Sequence, residues 1–169
     1  MAYAPLLHGI KHGIKTRLVG HNAPYVELNN KQKGLSMRTP VYKTLLGVYA
    51  IIESSCDEKI LLKERTSGPY KGLYDFPGGT ITEQEILEQA LVRVVRTETN
   101  QDIDGCKQYK TMSSLYEYQE GSIEHVLRHI GILYHAKIAY QESSKTVWKN
   151  KSDILGRDLT PFVSIYLGK

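Results

Sequence analysis

Residues 77–100 read PGGTITEQEILEQALVRVVRTETN, a Gly-Gly turn followed by a segment with helical periodicity. Thr82 followed three residues later by Glu85 is the pattern of a capping box, which predicts a helix that begins near residue 82. Asn100 fits the left-handed position that ends many helices. The sequence therefore predicts one well-delimited helix directly after a glycine turn.

The apolar side of that helix carries one acidic residue. At about 100° per residue, Glu98 lies in the middle of an arc of apolar residues that should face the core. That arc contains Ile86, Leu87, Ala90, Leu91, Val94 and Val95. A buried carboxylate is unfavourable unless it is paired, bound to a metal or facing a cavity. Two interpretations stay open: Glu98 belongs to a ligand site, or the last helical turn leaves the core and Glu98 reaches water or Arg128.

Gly78 and Gly79 come shortly before the helix. Glycine allows positive φ and close approach of the backbone, so main-chain amides and carbonyls there can face a ligand. Two glycines alone are a weak signal. A glycine turn, a capped helix and an acidic residue on its apolar side together predict that the ligand binds here.

Apolar runs separated by turn residues predict strands around this unit. Residues 45–52 are apolar at both parities, as in a strand covered on both faces, and residues 60–64 read as its hairpin partner. A short strand is expected at 73–76. Two long strands and a closing helix complete the pattern, at about 108–118, 125–140 and 159–167. This irregular alternation predicts a mixed α/β fold with helices packed on a mixed sheet.

The composition indicates one domain. The chain has 169 residues, of which 41% are hydrophobic and 24% charged. Its 22 Lys plus Arg residues exceed its 18 Asp plus Glu residues only slightly, and this excess of positive charge is small for a dedicated nucleic-acid-binding protein. Cys56 and Cys106 lie far apart, so neither a disulfide framework nor a zinc site is predicted. No apolar run approaches the length of a membrane span. We therefore expect a soluble, cytoplasmic protein with no membrane partner.

Residues 1–40 differ from the rest, with a tandem HGIK at 8–11 and 12–15 and three prolines. We interpret them as an arm-like extension, and residues 41–169 as the domain. RNA binding through basic residues of the arm stays open, but a solvated extension is the plainer account and we do not expect a nucleic-acid ligand. The basic residues are Lys11, Lys15, Arg17, Lys31, Lys33 and Arg38.

The segment from the glycine turn onward resembles the signature of the Nudix hydrolase family. That signature is a glycine, five residues, a glutamate, seven residues, and then Arg-Glu-apolar-any-Glu-Glu-any-Gly-apolar. Aligned without gaps, the chain supplies Gly79, Glu85, Arg93, Val95 and Glu98. The flanking stretches 68–79 and 159–162 also look like those of many members. The resemblance, from about residue 42 to the end, implies a Nudix-type α/β/α sandwich with a mixed sheet and the Nudix loop-helix, preceded by the N-terminal extension.

Four positions depart from the signature. Val94 and Thr97 replace two of the three helix glutamates, Asn100 replaces the glycine and Gln101 replaces the last apolar residue. In the family those glutamates bind Mg²⁺ or Mn²⁺, which hold a diphosphate and activate the attacking water. The resemblance therefore implies weak or absent metal binding, unless another carboxylate substitutes. No spacing selects among the candidates for that substitution, which are Glu120, Glu124 and Glu142.

The resemblance also assigns roles. Glu98 is expected to be the surviving metal ligand, with the Gly78 carbonyl as co-ligand and Arg93 as the residue that orients the site. Glu85 is the third expected catalytic residue, although a capping role alone would explain a glutamate at this position. An ordinary arginine on the helix surface would likewise look the same as Arg93 in the sequence. The residues expected to bind substrate are Gly78, Gly79, Tyr70 and Arg65.

Two functions remain open. One is a hydrolase acting on a nucleoside diphosphate linked to another moiety, with weakened or altered catalysis. The other is a non-catalytic nucleotide-binding sensor or regulatory module. Both imply a nucleotide-type small molecule as ligand, and a homodimer is compatible with either. His125, His129 and His135 share one side of a predicted strand, but the first two would lie about 13 Å apart, so no histidine metal site is expected.

Overall fold

The computed structural model describes residues 16–17, 39–56, 58–138 and 145–169. Its strands and α-helices are β1 (Thr16–Arg17), β2 (Val41–Ile51), β3 (Lys59–Glu64), β4 (Tyr74–Asp75), β5 (Gly78–Thr80), α1 (Leu87–Thr99), β6 (Ile103–Glu120), β7 (Ile123–Ile138), β8 (Val147–Asn150) and α2 (Pro161–Leu167). Two short 3₁₀ helices lie between β8 and α2, at Lys151–Asp153 and Gly156–Asp158.

The strands form two sheets. The larger sheet has the order β1-β6-β7-β2-β5, and the smaller one the order β4-β3-β8. In the larger sheet β2 and β7 run parallel, in a register that places Val41 opposite His125 and Ile51 opposite His135. Its other neighbouring strands are antiparallel. The predicted mixed sheet is confirmed.

The two helices cover opposite faces of the large sheet. Along β2, Tyr49 and Ile51 pack in a cluster with Phe162 and Val163 of α2. The alternate residues of the same strand, such as Val48, pack in a second cluster with four residues of α1. Because successive side chains of a strand point to opposite faces, a strand buried on both sides must be apolar at both parities. The arrangement is the predicted α/β/α sandwich.

The predicted hairpin between residues 45–52 and 60–64 forms only beside its turn, where the Leu61 N–H donates to the Ile52 carbonyl at 2.9 Å. Among the described residues the contact between these segments is limited to their near ends, where Glu53 bridges Ile60 and the Ser54 N–H donates to the Lys59 carbonyl at 3.0 Å. Both edges of β2 are already paired, with β5 and β7. The strand β3 therefore leaves the large sheet and pairs with β4 and β8.

The predicted start of the helix was wrong, by about one turn. The helix α1 begins at Leu87, and Ile86, which was expected on the core face, is 64% exposed. The bond typical of a capping box does form, because Glu85 Oε1 accepts the Thr82 N–H at 2.7 Å. That bond closes a turn in the loop before α1, since the Glu85 carboxylate is held by Arg93. The helix ends as expected, with Asn100 at φ 59°.

The arm-like character of residues 1–40 stays a prediction. Most of that segment lies outside the described residues, and within it Thr16 and Arg17 pair with Tyr116 and Leu115 of β6. The long strands extend beyond their predicted ends, while residues 139–140 of the second also lie outside the described part. No helix in the described ranges is long and apolar enough to cross a membrane.

Candidate functional site

Glu98 lies in the last turn of α1 with 8% of its surface exposed. Its Oε2 accepts the Gly78 N–H at 3.0 Å. Its Oε1 accepts a bond from the Lys63 ammonium and lies 3.8 Å from Nη1 of Arg65. The alternative in which Glu98 reaches water or Arg128 is therefore wrong. The carboxylate is buried, and two cations of the same protein balance its charge.

Asp75 fixes one of those cations. It is fully buried, its Oδ2 accepts a bond from Arg65 Nε at 2.8 Å, and the same oxygen forms an ion pair with Arg65 Nη2 at 2.7 Å. Its Oδ1 accepts the Phe76 N–H at 2.9 Å and the Thr160 hydroxyl at 2.8 Å. Burial alone would lower the pKa of Arg65, but Asp75 outweighs it and the pKa is raised. Arg65 thus stays charged, with Nη2 3.4 Å from the Gly78 carbonyl.

Arg93 and Glu85 tie α1 to the loop that precedes it. Arg93 Nε donates to Glu85 Oε2 at 2.8 Å, and Arg93 Nη2 donates to Glu85 Oε1 and, at 2.9 Å, to the Thr80 carbonyl. These bonds, together with the Thr82 N–H, lower the pKa of Glu85 to about 2. The pair has a clear structural role, and the catalytic roles expected for it stay predictions.

The two substituted positions of the helix offer no cation ligand. Val94 is 5% exposed and has no donor atom, and the Thr97 hydroxyl donates to the Arg93 carbonyl at 2.7 Å. Both oxygens of Glu98 are engaged by protein groups. Mg²⁺ requires several oxygen ligands in near-octahedral geometry. In the part of the chain that is described, no three His, Cys, Asp or Glu residues are grouped to hold a metal ion, so the donor set does not fit a divalent cation.

The carboxylates considered as substitutes have other surroundings. Glu120 lies at the end of β6, 3.7 Å from Lys43 Nζ and 3.5 Å from His125 Nε2. Glu124 is opposite Gln119 in the β6–β7 pair. Glu142 lies outside the described residues. The described structure thus provides no replacement ligand beside Glu98.

A cavity of about 390 Å³ opens in front of Glu98. Its lining contains both charged and apolar residues. The charged ones are Arg65, Asp75, Arg93 and Glu98, and the apolar and aromatic ones include Leu45, Pro69, Tyr70 and Leu127. Six of the seven predicted site residues line this cavity. The seventh, Glu85, does not, but it accepts a hydrogen bond from Arg93, which does. Lys63 does not line the cavity either, although it contacts Glu98, which does.

Sequence reasoning missed a buried chain of three rings at the back of the cavity. The Tyr49 hydroxyl lies 2.6 Å from Nε2 of His129, and Nδ1 of His129 lies 3.1 Å from the Tyr70 hydroxyl. Burial lowers the pKa of His129 to about 4 and raises those of both tyrosines. The imidazole is therefore neutral at pH 7, and it can donate to one tyrosine and accept from the other.

Lys63 and Asp75 were missed as well. A signal for Asp75 was present, because it is the one charged residue in the apolar stretch 73–76. Lys63 follows three apolar residues and looks like the solvent end of a strand. Its contact with Glu98 bridges 35 residues of sequence, and no local pattern predicts it.

Similarity to known proteins agrees with this architecture. Residues 43–152 match the family model of the NUDIX domain. An ADP-ribose pyrophosphatase of Methanocaldococcus jannaschii is 43% identical over 54 residues, which are 32% of this chain and 31% of that protein. The match thus spans about a third of the length of that curated relative.

Solved structures show the same fold. Shewanella oneidensis NrtR has a TM-score of 0.51 and 26% identity, over 64% of this chain and 53% of that one. The NUDIX domain of NrtR complexed with ADP ribose has a TM-score of 0.50 and 25% identity, over 75% and 86%. A NUDIX hydrolase from Nitrosomonas europaea has a TM-score of 0.52 and 19% identity, over 75% and 87%, a likeness of fold alone. Since the family model matches more than half of its residues, this chain belongs to the NUDIX domain family.

Proposed function

We propose that this chain is a nucleotide-binding Nudix module, which holds a nucleoside diphosphate linked to another moiety and does not hydrolyse it. One observation carries the proposal: both oxygens of Glu98 are engaged by Lys63 and by the Gly78 N–H, at the position where the family places a metal ligand. The ligand would bind without a divalent cation.

The charged and the apolar residues of the cavity lining suit the two chemical parts of such a ligand. Arg65 and Arg93 present guanidinium groups, which bind phosphate oxygens through paired N–H donors. The lining residues Leu45 and Tyr70 suit a base or sugar face. A volume of about 390 Å³ lies within the range of small-molecule sites.

The loss of hydrolysis follows from electrostatics. Two unit charges about 4 Å apart interact by roughly 4 kcal/mol at an effective dielectric near 20, so replacing two of three carboxylates removes much of the attraction for a dication. Without the cation, the diphosphate keeps its charge and the attacking water is not activated. Val94 and Thr97 supply no substitute chemistry.

ADP-ribose is the first ligand to test, because the Methanocaldococcus relative is named for it and the NUDIX domain of NrtR was crystallised with it. The experiment is calorimetric titration of the full chain with ADP-ribose, once in EDTA and once in Mg²⁺. We expect the two dissociation constants to agree within about threefold, and chromatography of the mixture to show no product.

A matched pair of variants locates the site. Arg93→Met removes a guanidinium from the cavity wall, and we expect it to weaken ADP-ribose binding by at least about tenfold. Arg96→Met removes an arginine of the same helix that is paired with exposed Asp102, and it should bind like the wild type. Binding that requires Mg²⁺, or equal loss in both variants, would contradict the proposal.

A slow metal-dependent hydrolase is the second candidate, and the 43% identity to an ADP-ribose pyrophosphatase favours it. It predicts Mg²⁺- or Mn²⁺-dependent release of a phosphorylated product, which Glu98→Gln abolishes. Because a structure of NrtR contains a 27mer DNA, our expectation that this chain binds no nucleic acid stays a prediction. The cytoplasmic location and the homodimer also stay predictions.

A further inference from the structure

The cation that balances Glu98 comes from the protein itself. Lys63 lies near the end of β3, its side chain is 23% exposed, and its ammonium contacts Glu98 Oε1. The side chain of Glu98 is 11% exposed. An ammonium is a compact point charge with three donors, so it can occupy a small pocket that a hydrated cation would otherwise fill.

The alternation of β3 places Lys63 under α1. Side chains two residues apart in a strand point to the same face. Leu61 packs in the cluster that contains α1, whereas Leu62 packs in the cluster that contains α2. Lys63 therefore shares the face of Leu61, and the α1 turn that carries Glu98 is within its reach.

A second positive charge strengthens the effect of Lys63. Arg65 Nη1 lies 3.8 Å from the same Glu98 oxygen, and Asp75 holds Arg65 in that position. A divalent cation approaching Glu98 would meet two fixed cations around one carboxylate. At distances of a few ångströms in a partly buried site, this repulsion exceeds the attraction of one carboxylate.

We propose that the Lys63 ammonium replaces a divalent cation as the counter-charge of Glu98, and that Lys63 thereby prevents a metal ion from binding there. The site would then lack metal affinity for two independent reasons, the loss of two carboxylates and the gain of a lysine. The inference rests on the proposed function, in which the site works without a metal, and its test uses no nucleotide, so it can fail while metal-independent ligand binding holds.

The test is a titration of the full chain with MnCl₂. Binding is measured as the loss of the electron paramagnetic resonance signal of free Mn²⁺. We compare the wild type with Lys63→Met and Lys63→Gln, the second of which keeps a neutral donor for Glu98. We expect both variants to bind Mn²⁺ at least about tenfold more tightly than the wild type. Circular dichroism and thermal melting establish that each variant is folded.

Two controls make the result specific. Lys59→Met removes an exposed lysine from the same strand and should titrate like the wild type. In Lys63→Met combined with Glu98→Gln, the gain should disappear. The proposal would be overturned if the wild type bound Mn²⁺ as tightly as folded Lys63→Met or Lys63→Gln. The same holds if none of the three proteins bound Mn²⁺ measurably. A gain that survives Glu98→Gln would overturn it too.

Discussion

Arg93 binds both carboxylate oxygens of Glu85 across the loop that leads into α1, with 2.8 Å between Arg93 Nε and Glu85 Oε2. The same guanidinium reaches the Thr80 carbonyl at 2.9 Å. Three bonds from one rigid side chain thus hold the loop between β5 and α1 against the helix. Thr80 and Arg93, at the two ends of this connection, both line the cavity, so the position of the loop bears on the shape of the ligand site.

Arg93→Lys should loosen this loop while the fold persists. A lysine keeps the charge but has no planar fork for two parallel bonds. We expect amide hydrogen exchange in residues 80–86 to become faster by on the order of tenfold, with little change in the β2–β7 pair. Hydrogen exchange with mass spectrometry measures this, and Arg96→Lys on the same helix is the control. Unchanged protection in the loop would show that the Arg93–Glu85 pair does not hold it.

Asp75→Asn should be strongly destabilising. The substitution removes the charge of the fully buried Asp75, the main partner of Arg65, and breaking a buried ion pair in this way costs about 3–5 kcal/mol. Urea unfolding measures the free energy. Asp102→Asn, which breaks an exposed pair with Arg96, should change it by less than about 1 kcal/mol. Similar effects of the two variants would mean that Arg65 finds another partner.

Gly78→Ala should destabilise the protein and disturb the backbone that binds Glu98. A Cβ there would lie 2.5 Å from the Val48 carbonyl oxygen and would overlap the Tyr49 ring, so β2 and β5 would have to move apart. Overpacking of this kind costs roughly 1–3 kcal/mol, and the shift would also disturb the Gly78 bond to Glu98. Gly105→Ala is the control, because nothing lies within 4 Å of its Cβ position. Thermal melting of the two variants compares them.

Local patterns predicted the elements whose signals lie within one segment. The burial of β2 on both faces, the left-handed Asn100 and the membership of Glu98 in the apolar side of α1 follow from a short stretch of sequence. The start of α1 was misplaced because Glu85 has two competing partners. The Thr82 N–H is local and still bonds to Glu85, whereas Arg93 is eight residues away and holds the same carboxylate, and the Thr82–Glu85 bond closes a turn of the loop instead of starting the helix.

The charge balance of the site could not be predicted in the same way. Lys63 reaches Glu98 from 35 residues away, and Thr160 reaches Asp75 from 85. These pairs depend on how β3, β4 and α2 are placed around the large sheet, and the pairing of β3 was itself mispredicted. The residues of a family signature lie within one segment of sequence. The groups that balance the charge of Glu98 and Asp75 lie far from them in the sequence.

His129 should make the stability of this protein fall with mild acid. Its pKa is lowered to about 4 in the fold, mainly by burial, from an ordinary value of 6.5. Between these two pH values the unfolded chain binds a proton that the folded chain does not, so the free energy of unfolding decreases as the pH falls from about 6.5 to 4. The full contribution is present above pH 6.5, and we expect roughly 1–3 kcal/mol to be lost by pH 4.

Urea unfolding of the wild type and of His129→Gln at several pH values isolates this contribution. The variant should be less stable at pH 7, since Gln cannot reproduce the contacts with both Tyr49 and Tyr70. Its curve should nevertheless be flatter between pH 6.5 and 4, because no imidazole titrates at that position. His135→Gln, at a half-buried histidine of the same strand, is the matched control for the loss of one imidazole. Equal slopes in the wild type and His129→Gln would show that His129 accepts a proton as readily in the fold as in the unfolded chain.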